Sequence, residues 1–194
     1  KNGCRIAMSL SFHEPYPVRY EERLTLKNAQ SVFIRPLLPS DENLIPDLFG
    51  KLGRDSIYLR FLTYLKSLPD DLLFQLTHID YSAQFALVAV IREDGNDTLI
   101  AVARYCYDSE KRITDFAVVV RDDWQNCGLG KTLLLKLFAI GKEHGVTRFV
   151  STIDAGNRVM KHILQTLGYP VKYSYVKGCT EVEIFIRSNN AIAS

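Results

Sequence analysis

The chain has 194 residues, 47% of them hydrophobic, with 24 Lys and Arg against 22 Asp and Glu for a formal net charge of +2. That length and apolar share can bury one sizeable core, as one domain or one domain with an extra segment. The basic residues are dispersed among acids rather than gathered into a stripe, which argues against nucleic acid. No apolar run approaches the ~18 residues that span a bilayer, which argues against a membrane.

Residues 1–20 show little patterning and hold Pro15 and Pro17, so they read as an N-terminal arm ahead of a single domain over 21–190. They lack the apolar stretch and small-residue cleavage site of a secretion signal. The chain begins at Lys1 rather than Met, which leaves open a fragment or a domain of a longer protein. Glu22–Lys27 and Ser31–Pro36 alternate around the polar Asn28-Ala29-Gln30 and predict a hairpin. Ser40-Asp41-Glu42 opens a helix to about Gly53, which Pro46 kinks or restarts. Ile57–Leu65 has helical spacing, and Pro69-Asp70-Asp71 starts a further helix to about His78.

The period then changes. Phe85–Ile91, Leu99–Tyr107 and Ile113–Val120 are β-rich and separated by turns at 93–97 and 109–112, a three-strand meander. Gly128–His144 is the clearest helix, with Leu129, Leu133, Leu137 and Ile140 on one stripe. Phe149–Ile153 is a strand, Asn157–Leu167 a helix ended by Gly168, and Val171–Val176 with Val182–Ile186 a last strand pair. The order β-β-α-α-α-β-β-β-α-β-α-β-β describes a mixed α/β (α+β) domain. Its central sheet is mostly antiparallel and flanked by helices, with one parallel crossover around 113–153.

Cys4, Cys106, Cys127 and Cys179 share no C-x-x-C spacing and have no paired histidines. They predict neither a disulfide framework nor a metal site, and fit reduced thiols in a cytoplasmic protein. His13, His78, His144 and His162 are scattered and read as surface or packing residues.

The chemistry concentrates where the run Phe116–Val120 passes through a short polar turn into Gln125-Asn126-Cys127-Gly128-Leu129-Gly130-Lys131-Thr132 and a long helix. The first amides of a helix have no internal partner, and the macrodipole places partial positive charge there. Two glycines let a phosphate approach those amides, and Lys131 adds a formal charge. Gly-x-Gly alone also fits a plain tight turn. Gly130-Lys131-Thr132 matches the end of a P-loop, but Gln125 stands at the first glycine position, and the loop lies two-thirds along the chain.

Gln125-x-x-Gly128-x-Gly130 after Val118-Val119-Val120 resembles the signature of the GNAT N-acetyltransferase superfamily. Asn157, with an apolar helix ending in Leu167-Gly168-Tyr169, resembles that superfamily's second motif, and the likeness covers roughly residues 31–187. Tyr16-Pro17, Ile34-Arg35-Pro36, Tyr58-Leu59-Arg60-Phe61 and Asp115-Phe116-Ala117-Val118 look like the bacterial Pat-type protein lysine acetyltransferase branch. Domains of that branch often act on acyl-CoA synthetases and are sometimes fused to regulatory domains.

The resemblance implies acetyl-CoA as cosubstrate and direct transfer to a primary amine without a metal. Val118, Val119 and Val120 would line the pantetheine and thioester, one backbone N–H stabilising the developing oxyanion. Gln125, Asn126, Cys127, Gly128, Leu129, Gly130, Lys131 and Thr132 would cradle the pyrophosphate. Asn157 would hold the pantetheine, cap its helix, or do both. An attacking lysine must lose its proton, so a base is needed. The family's Glu before F-A-V-V-V is Asp115 here, one methylene shorter, leaving room for a bridging water. The tyrosine that other branches use to protonate the thiolate is replaced by Leu164, and the Glu of the ribosomal-protein branch by Thr152. A thiolate is weakly basic enough for water to serve.

Cys127 is expected over the pyrophosphate, away from the acetyl carbon, which disfavours an acetyl-cysteine. Tyr58 and Arg60 could line the acceptor cleft, with helix packing the alternative. A protein lysine is the first expectation for the acceptor, and a small amine or amino acid the second. A domain that senses acyl-CoA without transfer is the third. Oligomeric state is not legible, and a homodimer stays open.

Overall fold

The computed structural model describes residues 15–186. The predicted order of elements is observed in full. The strands are β1 (Glu22–Thr25), β2 (Ser31–Pro36), β3 (Gln84–Glu93), β4 (Asn96–Asp108), β5 (Ile113–Val120), β6 (Arg148–Asp154), β7 (Val171–Val176) and β8 (Cys179–Phe185). The helices are α1 (Leu44–Gly50), α2 (Arg54–Phe61), α3 (Asp70–Thr77), α4 (Leu129–Glu143) and α5 (Arg158–Gln165). One eight-stranded sheet runs β1-β2-β3-β4-β5-β6-β8-β7, antiparallel throughout except between β5 and β6.

Local chemistry explains most boundaries. Asp94 and Gly95 both take positive φ (50° and 81°), as do Lys177 and Gly178 (46° and 82°), so two-residue turns join β3 to β4 and β7 to β8. The second turn extends β8 back to Cys179, earlier than the alternation from Val182 suggested. The segment opened by Ser40 divides into a 3-10 turn, Pro39–Asn43, and α1. Pro46 lies in the first turn of α1, where its missing N–H has no intrahelical partner to lose. Arg35 at the end of β2 clamps Asp41 of that turn through two buried hydrogen bonds, both 2.7 Å.

α4 covers one face of the sheet. Phe138 stacks on Phe149 of β6 (4.5 Å between centroids) and meets Phe116 of β5 edge-on (5.0 Å), which fixes α4 across the β5–β6 junction. α1, α2 and α3 lie on the opposite face, over Val102, Arg104 and Val119. Of the expected arm, residues 1–14 lie outside the described residues. Tyr16 and Tyr20 pack on the core, and Tyr20 donates to Glu143 of α4 at 2.6 Å.

Gly141 shows how closely α4 approaches β6: a Cβ there would sit 2.4 Å from Phe149 Cζ. Gly141→Ala should therefore lower stability by about 1–3 kcal/mol, although alanine is the better helix former. Thermal or denaturant unfolding would measure this, and a gain in stability would show that α4 can shift outward freely.

Candidate active site

The site begins as a defect in the sheet. β5 pairs with β4 from Ile113 to Val120, and β6 pairs with β8 from Arg148 to Asp154. Between β5 and β6, however, only Thr114 and Asp115 find partners, in Phe149 and Val150. Beyond Asp115 the strands diverge and leave a wedge-shaped opening. Arg121 N donates to Ile100 of β4 at 2.8 Å. Because peptide groups alternate in direction along a strand, those of Val119 and Ala117 also face β4, while those of Val118 and Val120 face the opening. Val118 has no strand partner there. The Val120 carbonyl accepts Gln125 Nε2 at 3.1 Å.

The loop after β5 is held rigidly from below. Buried Arg121 grips Glu93 (2.6 and 3.0 Å) and Asp123 (2.7 and 2.8 Å). Those bonds hold the Glu93 carboxyl down at about 2 and the Arg121 guanidinium above its ordinary range. Trp124 is buried, and buried Cys127 donates its thiol to Trp124 O at 2.9 Å, so this sulfur is committed to structure. Asn126 (φ 61°) and Gly128 (φ 88°) then turn the backbone sharply into α4.

α4 has no side-chain N-cap and no acid in its first turn; its first backbone bond runs from Thr132 N to Gly128 O at 3.0 Å. Among the described residues, no backbone N–H from Asn126 to Lys131 has a hydrogen-bond partner. A row of donors without partners at the positive end of a 15-residue helix has the chemistry that suits an anion. The Lys27 side chain, from the β1–β2 turn, lies over Gly128, with Cε 3.6 Å from where a Cβ would stand. A Cβ on Gly130 would meet only Val120 and Ile163 at 3.5 and 3.9 Å. The fold thus does not require glycine at 130.

Asn157 stands across the opening, at the start of α5 after β6. Its Oδ1 caps the helix by accepting Met160 N at 3.0 Å. Among the described residues its Nδ2 donates to nothing, so one end of the amide is structural and the other is available.

Asp115 sits at the apex of the wedge. Its carboxyl keeps an open face to solvent, yet the surrounding walls strip its hydration and raise it to about 6, against the pull of Arg60, Arg104 and Lys111. Arg104 is held by Gln75 O and Gln84 Oε1, both 3.3 Å. Arg60, in the last turn of α2, is lowered to about 10 by burial and by Arg104.

α2 bridges the opening. Asp122 caps it from the loop, accepting Gly53 N (2.9 Å) and Ser56 Oγ (2.5 Å). Gln125 Nε2 reaches Ser56 Oγ and Asp122 Oδ1, both at 3.2 Å. On the far side, Tyr58 donates to Asp154 at the end of β6 (3.2 Å). Of the residues singled out from sequence, the wedge gathers Asp115, Val118, Val120, Asn157 and the 125–132 loop. Val119 turns its backbone to β4 and its side chain to Val102. Lys27, Asp122, Ser56 and Arg104 carry no signal of their own in the sequence, because the partners that reveal them are 20 to 101 positions away by spacing that no local pattern encodes.

Residues 55–169 match the acetyltransferase (GNAT) family, and the chain belongs to that family. It is 31% identical to an acetyltransferase of Pseudomonas aeruginosa over 145 residues, covering 75% of this chain and 78% of that protein. It is 28% identical to acetyltransferase Pat of Mycolicibacterium smegmatis over 159 residues, covering 81% of this chain and 45% of that longer protein. The GNAT domain of S. lividans Pat has a similar structure, with a TM-score of 0.80 at 23% identity, covering 89% of this chain and 100% of that one. A Salmonella typhimurium protein solved with acetyl-CoA as its cofactor shares the fold, with a TM-score of 0.59 at 17% identity, covering 84% and 96%.

Two measurements probe this geometry. Gly130→Ala should leave stability within about 1 kcal/mol of the parent yet weaken acetyl-CoA binding, since its methyl would stand among the free amides. Equal binding by calorimetry would show that nothing approaches Gly130. Glu93 holds its proton less tightly folded than unfolded. Its contribution to stability is therefore complete above the unfolded value of about 4.3 and fades as pH falls towards 2. Glu93→Gln should flatten the stability profile across that window, and an unchanged acid profile would refute the role.

Proposed function

We propose that this chain transfers the acetyl group of acetyl-CoA directly to a primary amine, with Asp115 as general base, and that the amine belongs to a protein lysine. The observation that carries the reading is the alignment of three features along one wedge. Free amides lie at its helix end, free strand groups along its wall, and a carboxyl raised to about 6 at its apex.

The division of labour follows from that alignment. The amides from Asn126 to Lys131, with Lys131 and Lys27, bind the pyrophosphate. Thr132 stands at the edge of that cradle. Val118 offers N–H and C=O to the pantetheine and thioester, and Asn157 offers Nδ2 from the opposite wall. Val118 N–H favours negative charge on the carbonyl oxygen as the amine attacks. Asp115 takes the amine's proton, directly or through one water, as the C–N bond forms and the C–S bond breaks. The thiolate departs without a tyrosine acid, because the matching position is the fully buried Leu164.

Two observations support a protein acceptor. The relatives include Pat-type proteins, and Leu59, Tyr64 and Phe74 leave apolar surface exposed on α2, the segment after it and α3. Among the described residues Cys106, Cys127 and Cys179 form no disulfide, which fits a reducing, cytoplasmic setting.

A base must be unprotonated to act, so kcat/KM should fall as pH drops through about 6. Asp115→Asn should remove that acidic limb and cost about 10²–10⁴-fold, while Asp115→Glu should keep a limb. An untouched rate and profile in Asp115→Asn would exclude the base. Tight acetyl-CoA binding with no turnover of any peptide or small amine would leave a sensor instead.

A further inference from the structure

Gln125 opens the loop motif, yet its side chain is engaged outside the cradle. Its Nε2 meets three acceptors: Val120 O on the wall of the opening at 3.1 Å, and Ser56 Oγ of α2 and Asp122 Oδ1 at 3.2 Å each. An amide nitrogen carries two hydrogens. Three acceptors therefore divide two donors, and one of them is always underserved.

α2 is the element that depends on this division. It has eight residues, none of them fully buried, and its N-cap residue Gly53 offers no side chain. The cap comes from Asp122, which accepts Gly53 N at 2.9 Å and the Ser56 hydroxyl at 2.5 Å. A Cβ on Gly53 would stand 2.2 Å from Asp122 Oδ2, so this approach requires glycine. On the other wall α2 is tied to β6 through Tyr58 and Asp154. A short helix with little buried apolar surface and solvent-facing ties belongs to the low-stability end of a fold.

A ligand lying along the opening changes the division. The Val120 carbonyl faces the gap, and a pantetheine brings amide N–H groups of its own. When one of them donates to Val120 O, both hydrogens of Gln125 are left for Ser56 and Asp122. All three acceptors then have a donor, and the cap of α2 tightens. We infer that Gln125 is a positioning residue through which acetyl-CoA binding stiffens α2, the helix that borders the acceptor side of the cleft. This inference rests on the acetyltransferase reading above. By linkage, an acceptor that orders α2 also tightens acetyl-CoA.

Hydrogen exchange of residues 54–61, followed with and without saturating CoA, tests this with no acceptor present. In the parent protein CoA should slow exchange in α2 by on the order of tenfold, along with the amides of 126–131 that it covers. In Gln125→Ala the 126–131 amides should still be slowed by CoA, while α2 should not respond. Ser56→Ala should behave in the same way, and Ser56→Thr, which keeps the hydroxyl, should restore the response. Should Gln125→Ala fail to fold, the Ser56→Ala and Ser56→Thr pair decides in its place. Protection of 126–131 without α2 in the parent protein, or α2 protection that survives Gln125→Ala, would overturn this inference and leave acetyl transfer standing. Failure of CoA to protect either segment would overturn both.

Discussion

The site depends on one strand being paired along one side only. β5 has β4 beside it for its full length, but β6 leaves it after Asp115. Peptide groups that face a gap in a sheet must be satisfied by water or by something else that enters. The opening therefore behaves as a sheet edge placed inside the molecule, protected from a second chain by α2 and from collapse by the aromatic packing of Phe116, Phe138 and Phe149. An extended ligand with amide groups of its own, such as a pantetheine, completes such an edge.

Charge is distributed around the opening in two contrasting ways. At the loop, Arg121 is saturated by Glu93 and Asp123, and the result is a fixed platform from which α4 starts at a defined angle. At the apex, Asp115 and Arg60 stay apart and incompletely matched, each shifted by burial towards its neutral form. A saturated network is rigid, and an unsaturated one has interaction energy left for a substrate. The two clusters lie at opposite ends of one strand, the saturated one at its C-terminal end and the incompletely matched one near its start.

Several side chains serve structure and site with different atoms. Asn157 caps α5 with its oxygen, and among the described residues its nitrogen donates to nothing. Asp122 caps a helix that is distant in sequence, and Gln125 ties that helix to the Val120 carbonyl. Movement of α2 would therefore be felt at the loop and at the wall of the wedge. A cleft that meets two substrates needs such a connection to keep their reacting ends in register.

Much of this was legible in the sequence, for a physical reason. Alternation, helical stripes, and the Gly, Asn and Asp of turns act within a few residues, so the order of elements and the strand–loop–helix at 113–134 could be read directly. The asymmetry between Gly128 and Gly130 could not: both look alike in sequence, but the first is set by its own positive φ, while at the second the fold leaves room for a side chain. The insertion of β8 between β6 and β7, the early parting of β5 from β6, and the meeting of Arg60, Arg104 and Asp115 are consequences of packing between distant segments. Local pattern determined which groups were present. Only the tertiary structure decided which were left without partners, because an unmet hydrogen bond or charge is a property of its surroundings and not of the residue that bears it.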